Sequence, residues 1–101
     1  MTERPSRFQF YRGDVLLGEI SPTHDDFPWH YGTFEASVEF RAIASLFESE
    51  LRVLKETHGG SDWDKAYDLI SSAGLRLEPV GPGRVISNPL IHIQGDSAWW
   101  R

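Results

Sequence analysis

The hydrophobic period of this chain changes twice, and that change constrains the fold more than any other feature of the sequence. Phe8 and Phe10 alternate with Gln9 and Tyr11, which is the two-residue period of a half-buried strand. From Ser37 to Gly74 the apolar residues recur instead every three or four positions, the period of amphipathic helices. After Gly74 the period returns to two, with Leu75 and Leu77 alternating with Arg76 and Glu78. Strands, then helices, then strands in one short chain define an α+β domain.

The first strand is followed by a turn at Gly13-Asp14 and by Val15–Ile20. A two-residue loop would pair Phe10 with Leu17 and set Phe8 beside Glu19. A three-residue loop gathers Phe8, Phe10, Leu16 and Ile20 on one face, and this arrangement is expected, because a one-residue slip exchanges faces. Arg12-Gly13-Asp14 has the letters of an adhesion motif, but a hairpin tip requires Gly and Asp for its own geometry. Two prolines and several short polar residues make 21–28 read as a loop. A third strand follows from Trp29 to Glu35.

Ser37 is the expected N-cap of the first helix, whose stripe is Phe40, Ile43, Phe47, Leu51 and Leu54, with Glu48 and Arg52 paired on the wet side. His58-Gly59-Gly60 stops it. Ser61 opens a second helix, with Asp64 completing an acidic capping box and Trp63, Ala66, Tyr67, Ile70 and Ala73 as its stripe. A short strand is expected near Val85-Ile86. The last hairpin is the clearest, with Leu90–Gln94, a Gly95-Asp96 turn and Ser97–Arg101. It pairs Ile93 with Ala98, Ile91 with Trp100, His92 with Trp99 and Gln94 with Ser97. The expected architecture is therefore an antiparallel sheet of five to six strands in βββ-αα-βββ order, with both helices on one face.

Size confines this to a single domain over residues 1–101, with 1–6 expected to be flexible. A hydrophobic fraction of 40% can build a core. The absence of cysteine removes disulfides, thiol nucleophiles and thiolate zinc sites, and fits a cytoplasmic location. A net charge of −5, with scattered bases, disfavours nucleic acid. No apolar run is long enough for a membrane span, so no membrane partner is expected. No cofactor is expected either.

With helices on one face, aromatics of opposite parity point outward. Tyr11, Trp99 and one set from the third strand, either Trp29 with Tyr31 or His30 with Phe34, would sit on the open face. A wet Trp exposes about 200 Å², so several form either a partner patch or a surface covered by the loops 21–28 and 79–89. A dimer through this face satisfies the same pattern. The densest polar group is His24, Asp25, Asp26 and His30, whose donor types suit zinc, manganese or iron but whose spacing matches no fixed motif. Its carboxylates equally serve turns. An acid–base pair would recruit His92 or His58 with Glu19 or Glu35, and nothing in the sequence fixes such a geometry. No phosphate loop or nucleophile elbow is present.

The runs Asp26-Phe27-Pro28-Trp29, Gly32-Thr33-Phe34-Glu35 and His92-Ile93-Gln94-Gly95-Asp96-Ser97-Ala98-Trp99-Trp100 resemble segments of small uncharacterised bacterial proteins. The resemblance implies a bacterial cytosolic origin and assigns no activity. The resulting expectation is a non-catalytic module that binds a protein partner or a second copy of itself. Its contacts would be Trp29, Tyr31, His92 and Trp99, with Asp25 and Asp26 as polar rim. The rival expectation is a small-molecule or metal-dependent site at His24, Asp25, Asp26 and His30.

Overall fold

A computed structural model describes residues 6–57 and 60–101. The flexible start therefore lies outside the described residues except for Ser6, and the helix stop except for Gly60. The chain runs β1 (Phe8–Arg12), β2 (Val15–Asp26), β3 (Trp29–Ala36), a 3-10 turn (Val38–Ala42), α1 (Ala44–Thr57), α2 (Ser61–Ser71), β4 (Leu75–Pro79), β5 (Ile86–Ser87), β6 (Ile91–Gln94) and β7 (Ser97–Trp100). It is an α+β fold with one antiparallel sheet of seven strands in the order β5-β4-β1-β2-β3-β7-β6. The sheet is one or two strands larger than expected. Neighbours in sequence pair as hairpins, while β4 joins β1 and β7 joins β3 after the helical excursion. Among the described residues no helix is long and apolar enough to cross a membrane.

The three-residue loop expected between β1 and β2 does not form. The turn is the two-residue one, with Arg12 opposite Val15. A bulge then places Leu17 as an extra residue between the pairs Tyr11/Leu16 and Phe10/Gly18. One added residue reverses the parity of the strand. Phe8 consequently faces Ile20 as expected, but Leu17, and not Leu16, enters the core beside Phe10. Gly18 follows because no side chain fits there. A Cβ would lie 2.4 Å from the Glu35 carbonyl oxygen and 2.6 Å from the Phe34 ring. Gly32 is held by a similar approach, 2.6 Å from the Ser21 carbonyl oxygen.

Residues 21–26 are not a loop. They extend β2, paired with β3 from Ser21/Thr33 to Asp26/Trp29, with a second register shift between Pro22 and His24. Pairing with β1 stops at Ile20, so the missing N–H of Pro22 falls where the β1 side of β2 has no ladder partner among the described residues.

The sheet curls strongly. Phe8 on β1 and Trp100 on β7 are three strand positions apart, roughly 14 Å in a flat sheet, yet their rings meet edge-to-face at 5.9 Å. Ile43, Phe47 and Ile70 from the helical region fill the concave side with Phe10, Leu17, Ile20, Phe34, Leu77, Ile91 and Trp100. α1 packs against α2 and along β6. Two capping expectations fail. The Ser37 hydroxyl makes no cap and donates to the Leu16 carbonyl at 2.6 Å, tying the 3-10 turn to β2. α2 is capped by Gly60 without a side-chain bond, while Asp62 and Asp64 lie in its first turn, where the helix dipole favours them.

Candidate functional site

The long β2–β3 hairpin is flanked by β7 as far as the His30/Trp100 pair and turns one pair further on, at Phe27-Pro28, joined by a cis peptide bond. Phe27 is 96% exposed, the most exposed of the large apolar residues described. Register places Asp26 opposite Trp29, Asp25 opposite His30 and His24 opposite Tyr31. Facing positions on paired strands share a sheet face and successive ones alternate. Trp29, Asp26, Tyr31 and His24 therefore fall in positions set apart from those of Asp25 and His30. Three contacts stiffen this end of the molecule. His24 stacks on Tyr31 at 4.7 Å between ring centres, Asp25 Oδ1 meets His30 Nδ1 at 2.7 Å, and the Arg101 guanidinium covers Trp29 at 4.9 Å.

Behind the tip, Tyr31 stands opposite Trp99 and Trp99 opposite His92. The His92 ring is 5.5 Å from Trp29 and 5.4 Å from Trp99. The four expected contact residues are thus assembled into one aromatic shelf. They are not equally available. Trp29, Tyr31 and Trp99 are half-buried, and His92 is only 3% exposed. His92 therefore supports the shelf from beneath rather than contacting what binds on it.

What covers His92 comes from the helices. Glu50 of α1 is fully buried, and its Oε1 accepts a hydrogen bond from Trp63 Nε1 at 2.7 Å. His92 Nδ1 lies 2.8 Å from the same oxygen, off the line needed for a hydrogen bond, and Oε2 is buried without a partner among the described residues. Tyr67 of α2 approaches the His92 ring at 6.0 Å, accepts the Ile91 N–H at 2.7 Å and donates to the Pro89 carbonyl at 3.2 Å. Burial pushes the Tyr67 phenol above its ordinary value. The bond from Ile91 opposes that rise, and the nearby Glu50 carboxylate adds to it. With side chains this enclosed, Glu50 and His92 lock α1 and α2 to the edge of β6.

The rival constellation does not converge. Asp25 and His30 pair with each other, while His24 is engaged by Tyr31 and by the Thr23 hydroxyl at 3.1 Å. No group of three or more His, Cys, Asp or Glu among the described residues is placed to hold a metal. Glu19 and Glu35 oppose each other across β2 and β3, away from the His92 partner actually formed, and His58 lies outside the described residues.

Sequence reasoning missed two residues. Phe27 was hidden in a segment read as a covering loop, although an apolar side chain between Asp26 and Pro28 had no alternating neighbour to pack with. Glu50 was hidden in a helix stripe read through Leu51. The spacing 43, 47, 50, 54 describes that face equally well and puts a carboxylate in the middle of it. Compared with protein-family models, curated proteins and solved structures, the chain matches none of them.

Proposed function

We propose that this protein is a non-catalytic interaction module that docks a basic partner protein through the tip of the β2–β3 hairpin. The observation that carries the reading is Phe27, an aromatic ring left 96% exposed at the turn of the β2–β3 hairpin. Exposed single apolar residues are ordinary on protein surfaces. Here Phe27 is two residues along the chain from Trp29, the first ring of the half-buried shelf of Trp29, Tyr31 and Trp99. Aromatic anchors surrounded by water-excluding neighbours dominate many interfaces.

Charge selects the partner. Asp25 and Asp26 precede the anchor on a chain of net charge −5, so the complementary surface is an apolar pocket rimmed by Lys and Arg. A symmetric second copy would set Asp25 and Asp26 against themselves, which disfavours a dimer through this tip.

A photo-crosslinking amino acid at position 27, with position 15 at the opposite hairpin as control, tests the reading in the producing cell. The expected result is one discrete heterologous product from position 27, mapping to a Lys/Arg-bordered segment and lost in Asp25→Lys/Asp26→Lys. A product joining two copies of the chain, or no product from position 27, overturns it.

A further inference from the structure

On the other side of α1 from Glu50 lies a groove of about 380 Å³, within the size range of small-molecule sites. Its apolar wall is Phe40, Phe47 and Leu51 from the helical segment and Ile93 from β6. Gln94 and Gly95 at the β6–β7 turn also line it.

Two features make it more than a packing defect. Arg52 and Lys55 both line it, and neither has an ion-pair partner among the described residues. The Glu48–Arg52 pair expected on helix spacing does not form. Glu48 also borders the groove, so its charged lining is net positive by one in a chain of net −5. The second feature is backbone. Leu90 and Arg101 exchange both of their main-chain hydrogen bonds, which makes His92/Trp99 the next such pair along the hairpin. The N–H and C=O of Ile91 and Ile93 therefore point toward the free edge of β6. Tyr67 takes the Ile91 N–H. Ile93, which also borders the groove, has the same edge-facing backbone.

We propose that this groove binds a small amphipathic carboxylate, with its hydrocarbon body on Phe47, Leu51 and Ile93 and its anionic head at Arg52 and Lys55. A neutral apolar ligand would leave both cations unused. An added peptide strand would find a single free backbone pair on a four-residue edge, too little for strand addition. The site is separate from the hairpin tip, so it stands or falls independently of the docking reading.

Decanoate, titrated below its micelle concentration and followed by amide chemical shifts and calorimetry, is the test, with decanol as the uncharged control. The expected result is saturable one-to-one binding with shifts centred on Ala44, Ile93 and Gln94. Decanol should bind about tenfold more weakly, because it loses the charge-assisted bonds. Arg52→Gln/Lys55→Gln should weaken decanoate by a similar factor while leaving the thermal midpoint unchanged, since both residues are exposed. Ala44→Leu keeps both cations, fills the groove and should abolish binding. Shifts centred elsewhere, equal binding of decanol, or full retention in either variant overturns the assignment.

Discussion

At the residue scale, Glu50 is a fully buried carboxylate among the apolar residues of the core. A carboxylate leaves water at a high free-energy cost and stays buried only where donors meet it. Trp63 and His92 approach one oxygen, and removing that oxygen leaves both of them without it. Glu50→Ala should therefore lower unfolding stability by about 3 kcal/mol, read by chemical denaturation, with loss of the Trp63 near-ultraviolet signal. An effect below about 1 kcal/mol, the range of surface substitutions, would show that the helices are held by Phe47 and Ile70 alone. Tyr67 contributes the pH dependence. Its phenol ionises above the ordinary value of 10.0 in the folded state. A raised folded value means that its stabilisation is complete below the unfolded value and is lost as pH rises through the folded one. Stability should therefore fall in alkali beyond about pH 10. Tyr67→Phe should flatten that fall, at the cost of an unpaired Ile91 N–H worth about 1–3 kcal/mol at neutral pH.

At the scale of elements, the β1–β2 hairpin shows how one residue redirects a strand. The pattern Val15-Leu16-Leu17-Gly18 offers two candidate core leucines, and turn length alone does not choose between them. The bulge at Leu17 chooses. Leu17 is 1% exposed, whereas Leu16 is half-buried. Leu17→Ala should cost about 2–5 kcal/mol as a core cavity, and Leu16→Ala much less. Equal effects, measured in the same denaturation series, would contradict this register. The bulge was not legible in the sequence because its cause is non-local. Phe34 of β3 lies over Gly18, so Gly18 has to hold its place in the ladder and Leu17 absorbs the extra residue. The final hairpin was fully legible, down to each of its four pairs, because a Gly-Asp turn sets its register locally. The extension of β2 through residues 21–26 was not. Pro22 reads as a breaker, and only its position beyond the β1 ladder makes it tolerable.

At the scale of the whole molecule, β7 is the strand on which the architecture depends. It is last in sequence, yet it lies between β3 and β6 and contributes Ala98 and Trp100 to the core. Deleting residues 97–101 should abolish cooperative unfolding altogether, because β6 and the helices packed along it lose their connection to the rest of the sheet. A shortened chain that still melts in one sharp transition would contradict this placement. The sequence by itself determined what depends on neighbours along the chain. That covers the α+β class, the order of strands and helices, the turns at 13–14 and 95–96, and the alternation that sends Phe8, Phe10, Leu75, Leu77, Ile91 and Ile93 inward. Periodicity and turn chemistry are local, so they can be read residue by residue. Only the tertiary structure decided the rest. It brought β4 to β1 and β7 to β3, curled the sheet until Phe8 met Trp100, paired Glu50 with His92, and left Phe27 exposed at the β2–β3 turn. Each of these joins residues distant in sequence or depends on what distant segments leave uncovered. Such contacts follow from which buried surfaces fit together, and that is a property of the packed chain rather than of any window along it.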